Sequence, residues 1–194
     1  MKLILISSPD NIENETQLLT DFFHNGLEIL HLRKPSFIND DYRNYLKRVP
    51  EKYHSRIMLH GGHPLKDEFN IRGIHYSEKK RPIVINKVSG IIQSTSFHQL
   101  QQLETANPIL DYAFISPVFD SISKSGYQKA FEINKLQHAI NKAPIPIVAL
   151  GGITPGRIPE LKSIGVMGVA VLGAIWMSDT PIKAFLAMSD ACNQ

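Results

Sequence analysis

The chain has a single cysteine, Cys192, close to its carboxyl end. One thiol cannot form an internal disulfide, and it cannot build a cysteine metal cluster, so the sequence excludes a disulfide scaffold. Cysteine usage therefore indicates a reducing compartment, and we expect a cytoplasmic protein.

Long apolar runs are also missing. No segment approaches the roughly 20 apolar residues that a membrane-spanning helix needs. Residues 1–9 hold a short apolar run with no small-residue cleavage site after it, which predicts a buried strand rather than a signal peptide. We therefore expect no membrane partner.

Excess charge of one sign is absent as well, because 21 Lys and Arg face 18 Asp and Glu, for a formal charge of +3. Nucleic-acid binding usually requires clustered basic residues, so any anionic ligand is expected to be small and bound locally. The 194 residues are 43% hydrophobic, which suits one globular domain spanning residues 1–194.

Short apolar runs alternate with amphipathic stretches along the chain. Eight runs predict strands: 3–7, 28–32, 56–60, 73–76, 88–94, 112–115, 147–150 and 168–172. The stretches between them predict helices, at 15–24, 40–49, 97–105, 132–141, 158–164 and 180–191, with a short helix at 64–69. Such alternation favours parallel strands joined by helical crossovers, and hence an α/β fold. We predict a single-domain (β/α)8 TIM barrel, with a doubly wound open sheet as the alternative.

Two glycine-containing turns follow the last two predicted strands. Gly151 and Gly152 end the seventh strand, and Gly173 ends the eighth. Residues without side chains let backbone N–H groups approach a ligand oxygen, and the loops after strands seven and eight are the usual phosphate site of this barrel. The pair predicts a phosphate site, although two ordinary turns would look similar.

The loop after the sixth predicted strand is rich in hydroxyl groups. Ser116, Ser121 and Ser123 can donate to phosphate oxygens, and Lys124 can supply a positive charge to a phosphate or diphosphate. The alternative is a solvated loop without a ligand. Loops at a barrel mouth commonly carry function, which favours the binding role.

Histidines mark the ends of several predicted strands. Alternation places His31 and Arg33 on one face of the second strand, where an inward Arg33 needs either a ligand anion or a carboxylate partner. His60, His75 and His98 can act as acids or bases, although each alone is more often structural. No HExxH, CxxC or carboxylate cluster accompanies them, so we predict no metal ligands.

The series His31-Leu-Arg33, Gly73-Ile-His75, Ser94-Thr-Ser96, Ser116-Pro-Val-Phe119, Ser121-Ile-Ser-Lys124 and Ala149-Leu-Gly151-Gly152 resembles the thiamine phosphate synthase/TenI family over nearly the whole chain. The resemblance implies a barrel enzyme that handles a thiazole phosphate. Synthases of this family join it to a hydroxymethylpyrimidine diphosphate with magnesium, whereas TenI-type members tautomerise a thiazole carboxylate phosphate.

The resemblance also implies roles for single residues. Those around the diphosphate or pyrimidine are Arg33, Ser96, Ser121 and Lys124, and those around the thiazole phosphate are Gly151, Gly152, Leu172 and Gly173. Apart from the resemblance, His75, Ser116 and Ser123 are further candidates for substrate binding. The histidine that TenI-type members tend to show is replaced here by Pro117, so His31 and His60 are our own candidate proton-transfer groups, with Lys124 as a catalytic cation.

The sequence departs from the synthase pattern where magnesium is expected. The two carboxylate positions hold His60-Gly61 and Lys80, and magnesium prefers oxygen ligands. Arg33, Lys34, Lys80 and Lys124 are candidate cations to replace it. We therefore expect a magnesium-independent thiazole tautomerase without a tightly bound cofactor. The alternatives are a synthase, with Mg²⁺ as cofactor, and a non-catalytic phosphate binder. No oligomeric state is predicted.

Overall fold

The computed structural model describes residues 1–81, 86–120 and 131–194, and within these residues eight parallel strands close into a barrel in chain order. The strands are β1 (Lys2–Ile6), β2 (Ile29–Leu32), β3 (Ile57–Leu59), β4 (Gly73–Tyr76), β5 (Ile92–Phe97), β6 (Tyr112–Ile115), β7 (Ile147–Leu150) and β8 (Gly168–Val171). The last strand pairs with the first, with Lys2 opposite Gly168. Closure confirms the (β/α)8 barrel and excludes the open sheet.

Helices surround the strands. The α-helices are α1 (Glu15–His24), α2 (Asn39–Arg48), α3 (Gln101–Glu104), α4 (Ile133–Lys142), α5 (Ile158–Ser163), α6 (Gly173–Trp176) and α7 (Pro181–Asn193), and 3-10 helices cover Glu51–Arg56, His63–Asp67 and Pro155–Arg157. The α1 helix shows why the spacing of apolar residues predicted helices, since Leu19, Phe22 and Phe23 lie on one face and are buried against the barrel.

Alternation along the strands separates two cores. One lies between barrel and helices, and it includes Leu5, Leu30 and Leu59. The other fills the barrel and consists of Ile4, Ile6, Ile29, Met58, Tyr112, Phe114, Val148 and Ala170. This inner core forms the apolar floor under the polar side chains at the carboxyl ends of the strands.

The fifth strand lies further along the chain than the apolar pattern predicts. Residues 88–91 form a turn, in which Gly90 has a φ of +71° and the Val88 N–H donates to Gln93 Oε1 at 2.7 Å. The strand proper, Ile92–Phe97, contains the polar run Gln93 to Ser96, and it extends three residues beyond the predicted end at Ser94. Helix α3 is also shorter than predicted, with only four residues.

Among the described residues, none of the helices combines the length and the apolar character needed to cross a lipid bilayer.

Candidate active site

Three histidines meet inside the barrel at the carboxyl ends of neighbouring strands. His31 lies on β2, His75 lies on β4, and His60 directly follows β3. His31 and His75 are buried and His60 is half-buried. We call these three residues the histidine cluster. Its members are 29 and 15 positions apart in sequence, but parallel pairing of β2, β3 and β4 brings them side by side.

Hydrogen bonds fix the rings of the cluster. His31 Nδ1 lies 2.8 Å from His60 Nε2, and His31 Nε2 lies 2.6 Å from the Tyr112 hydroxyl. The His75 ring lies between two hydroxyl groups, with Ser94 Oγ 2.9 Å from Nδ1 and Ser96 Oγ 3.0 Å from Nε2. The two contacts of His31 form a hydrogen-bonded chain from Tyr112 in the barrel interior to His60 at the mouth.

The environment keeps all three imidazoles neutral at physiological pH. Burial lowers the pKa of His31 and His60 well below the usual value, and the neighbouring histidines add to this effect. Burial also lowers the pKa of His75 to about 3, with smaller contributions from the charges of His63 and Arg33. Neutral imidazoles can accept protons or bind metal ions, whereas imidazolium cannot.

Arg33 extends the polar surface beyond the cluster. Its side chain is exposed, and its positive charge lowers the pKa of both His60 and His75. Among the described residues no carboxylate pairs with Arg33, so the alternative of a structural ion pair is not found there. The structure thus leaves this guanidinium available to an anion at the barrel mouth.

The neighbouring Lys34 faces away from the mouth, contrary to the sequence-based expectation of a cation for the ligand. Its ammonium group is fully buried and donates to Glu15 Oε2 at 2.5 Å and to the Asp10 carbonyl oxygen at 2.7 Å. The physical reason is alternation: if Arg33 faces the mouth, the next side chain points into the layer between barrel and helices. Lys34 is therefore a structural residue.

The two glycine turns lie next to each other at the same rim. Register pairs Leu150 with Ala170, so Gly151 and Gly152 follow β7 beside Leu172, which follows β8. Gly173 begins helix α6, whose first N–H groups have no partner within the helix. Among the described residues, no backbone carbonyl accepts from the N–H groups of Gly152, Leu172 or Gly173.

Both glycines after β7 have conformations that other residues rarely adopt. Gly151 has a φ of +98° and Gly152 a φ of +65°. A Cβ on Gly152 would lie 2.6 Å from the Asp120 carbonyl oxygen and 2.7 Å from Phe119 Cβ. The Phe119 N–H also donates to the Gly151 carbonyl oxygen at 3.1 Å. Gly152 therefore allows the loop after β6 to approach the loop after β7.

The structure describes two of the candidate serines, Ser96 and Ser116, and does not describe the other candidates in the loop after β6. Ser96 points into the barrel and bonds to His75, while Ser116 is buried with its Oγ 3.2 Å from His98 Nδ1. Ser121, Ser123 and Lys124 lie outside the described residues, so their roles remain sequence-based predictions.

Sequence reasoning gave no site role to Tyr112 and Ser94, although both lie in stretches that resemble the family, and these residues hold His31 and His75 from behind. A usable signal existed, since each lies at an inward position of a strand, where a polar side chain needs a polar partner. Sequence reasoning also judged metal binding from spacing along the chain. It did not consider ligands that only the barrel brings together.

A closed (β/α)8 barrel with histidines, an arginine and glycine turns at the carboxyl ends of its strands belongs to the class of barrel enzymes for small molecules, whose active sites lie at this face. Within this class, the model of a family described as thiamine monophosphate synthase matches residues 3–175. The chain belongs to the thiamine monophosphate synthase family.

Individual relatives agree with this family. A thiamine-phosphate synthase of Pediococcus pentosaceus is 26% identical over 187 residues, which cover 89% of this chain and 87% of the relative. A thiamine-phosphate synthase of Vibrio parahaemolyticus is 33% identical over 120 residues, 58% of this chain and 57% of that protein. The crystal structure of thiamine phosphate pyrophosphorylase from Bacteroides thetaiotaomicron has a TM-score of 0.83 and 30% identity, covering 100% of this chain and 98% of that one.

These comparisons confirm the family and the enzyme class expected from the sequence. They do not specifically support the tautomerase that the sequence analysis favoured, since the relatives are named as synthases or pyrophosphorylases. The synthase, which was the alternative, fits the comparisons better.

Proposed function

We propose that this enzyme joins a hydroxymethylpyrimidine diphosphate to a thiazole phosphate and releases pyrophosphate, as a thiamine phosphate synthase does. The observation that carries this proposal is the full-length likeness to a thiamine phosphate pyrophosphorylase, with 30% identity over the whole chain. The arrangement of the barrel rim supports it, because two separate places there offer donors to anions.

The glycine turns after β7 and β8 would hold the thiazole phosphate. The N–H groups of Gly152, Leu172 and Gly173 are free of backbone partners among the described residues, and those of adjacent turns can converge on phosphate oxygens. The Gly152 turn packs directly on the loop after β6, so a phosphate bound here would lie beside that loop.

The opposite side of the rim would hold the diphosphate. Arg33 is exposed there without a carboxylate partner, and Lys80 is close enough to His63 that its charge lowers the pKa of this histidine, after the larger effect of burial. When the carbon–oxygen bond to the diphosphate breaks, negative charge grows on the leaving oxygens. Arg33, Lys80 and Lys124 are the cations we propose to stabilise that charge.

Magnesium does not fit the described side chains at this side of the rim. The positions where the family resemblance implies carboxylates hold His60-Gly61 and Lys80. His60 offers an imidazole and Lys80 an ammonium group, whereas Gly61 has no side chain. Glu78 is the acidic residue closest in sequence, but its side chain is 58% exposed and lies 3.7 Å from Arg81. Mg²⁺ prefers oxygen ligands in octahedral geometry, which these side chains do not supply.

The tautomerase has one observation in its favour. His60 is a neutral, half-buried imidazole hydrogen-bonded to His31, and such a pair can take up a proton at one position and return it at another. His31 and His60 would be the proton-transfer residues in that case. We keep this as the second candidate function.

An assay with both substrate pairs tests the proposal. Purified protein is incubated with the pyrimidine diphosphate and the thiazole phosphate, once with EDTA and once with Mg²⁺, and thiamine phosphate and pyrophosphate are measured by chromatography. We expect thiamine phosphate and pyrophosphate to form in equal amounts. If neither product forms while the protein interconverts the isomers of a thiazole carboxylate phosphate, the tautomerase replaces the synthase. Ligand binding in calorimetry without any turnover would instead indicate a non-catalytic barrel.

A further inference from the structure

The histidine cluster has the composition and spacing of a metal site. One ring nitrogen from each of His31, His60 and His75 lies within 4.8 Å of the other two. The ring centroid of His31 lies 5.1 Å from that of His60 and 5.3 Å from that of His75, at interplanar angles of 74° and 73°. Rings that share one metal ion with nitrogen distances of about 2.0–2.1 Å are separated by similar amounts.

Residues behind the cluster orient two of the rings. The Tyr112 hydroxyl can accept the Nε2–H of His31, which leaves the Nδ1 lone pair directed towards His60. Ser94 Oγ can accept the Nδ1–H of His75, which leaves Nε2 with a lone pair. Metal-ligating histidines almost always donate their other N–H to such a partner, and this fixes the tautomer that binds metal.

The chemistry of the donors selects the ion. Three neutral imidazoles suit borderline divalent metals such as Zn²⁺, which take nitrogen ligands in tetrahedral geometry, and they do not suit Mg²⁺. Three histidines leave a fourth position for water or a ligand. His60 is the half-buried member, so that position would face the barrel mouth.

We propose that His31, His60 and His75 form a three-nitrogen site for Zn²⁺, with the fourth coordination position open to the mouth of the barrel. Binding requires the His60 proton to move from Nε2 to Nδ1, so that His60 Nε2 and His31 Nδ1 each offer a lone pair to the metal, and these two atoms move from 2.8 Å to about 3.3 Å apart. His60 must also turn away from His75, on which it stacks at 4.1 Å, and His75 Nε2 must exchange the hydroxyl of Ser96 for the metal.

Metal binding itself tests the site, independently of any catalytic activity. Tag-free protein is freed of metal with EDTA, dialysed, and titrated with Zn²⁺ in competition with a coloured chelator, and Co²⁺ is added separately for visible spectroscopy. We expect one Zn²⁺ per chain, the intense visible bands of tetrahedral Co²⁺, and no competition by Mg²⁺. Failure of the synthase assay leaves this result unaffected, so the two proposals are distinguishable.

Variants locate the ion. His75→Ala and His60→Asn should weaken Zn²⁺ binding by about 100-fold or more, and Tyr112→Phe by about 10-fold, since even outer partners of a ligand contribute about 10- to 100-fold. His138→Ala removes an exposed histidine on α4 and should change nothing. Circular dichroism monitors folding, and if His75→Ala does not fold, His60→Asn decides because its side chain is half-buried. No Zn²⁺ binding by the parent protein, equal affinity in His60→Asn, or octahedral Co²⁺ would overturn the proposal.

Discussion

The two sides of the barrel rim are built from different parts of the chain. On the side of β2, β3 and β4, side chains form the surface, with the histidine cluster bonded to Tyr112, Ser94 and Ser96. On the side of β7 and β8, backbone forms the surface, and Gly151, Gly152 and Gly173 contribute no side chains at all. Among the described residues, the first side can therefore present polar side chains, while the glycines of the second side present N–H groups and space.

The difference also determines what damages each side. A surface made of side chains depends on buried polar groups that all need partners, so removing one partner is costly. A surface made of backbone depends on conformations and close approaches that only glycine permits, so adding one carbon atom is costly. Substitutions of opposite kinds should therefore test the two sides.

The largest effect on stability is expected from removing the buried charge of Lys34, next to the histidine side of the rim. Lys34→Met leaves the Glu15 carboxylate buried without its partner, and such a loss lowers the free energy of unfolding by about 3–5 kcal/mol. Urea unfolding at pH 7 measures this value. The exposed pair of Lys135 and Glu132 supplies the control, because Lys135→Met should change stability by less than about 0.5 kcal/mol.

The pH dependence of Lys34→Met gives a second measure of the same charge. Burial raises the pKa of Glu15 even with Lys34 present, and the loss of Lys34 should raise this pKa further. When a carboxyl group has a raised pKa in the folded state, its protonated form favours folding. This contribution to the free energy of unfolding is lost as the pH rises through the folded pKa. The variant should therefore be less destabilised at pH 5 than at pH 8, and equal destabilisation at both would contradict the burial of Glu15.

A smaller effect is expected from adding a carbon atom on the glycine side. Gly152→Ala forces a positive φ on alanine and places Cβ 2.6 Å from the Asp120 carbonyl oxygen, which together should cost about 2–4 kcal/mol. The affinity for the thiazole phosphate should fall as well, because the loop after β6 must move. Gly156→Ala is the matched control, since nothing lies within 4 Å of its Cβ. Chemical denaturation and calorimetry report both quantities, and wild-type values in Gly152→Ala would refute the close approach.

The same contrast explains how much could be predicted from the sequence. The strands Gly73–Tyr76, Tyr112–Ile115 and Ile147–Leu150 were predicted to the residue, because local apolar patterning defines them. The turn at Gly151 was recognisable because glycine itself indicates unusual backbone. The contact of His31 with His60 was missed although the predicted barrel makes β2 and β3 neighbours, because each histidine was judged alone and the distance between two ring nitrogens depends on side-chain conformation. The predicted fifth strand reached Ser94 but ended before Ser96, and both serines bond to His75.

The smallest effect is expected from Arg33, and it tests which anion each side binds. Arg33 is exposed and unpaired among the described residues, so Arg33→Met should change the free energy of unfolding by less than about 0.5 kcal/mol. A hydrogen bond to a charged group contributes about 1.5–3 kcal/mol, so the dissociation constant for the pyrimidine diphosphate should rise about 10-fold or more. The dissociation constant for the thiazole phosphate should stay within about twofold, because its proposed site lies across the barrel mouth. Calorimetry with each ligand alone distinguishes the cases: an equal loss for both would mean that the two sides of the rim do not divide the substrates between them.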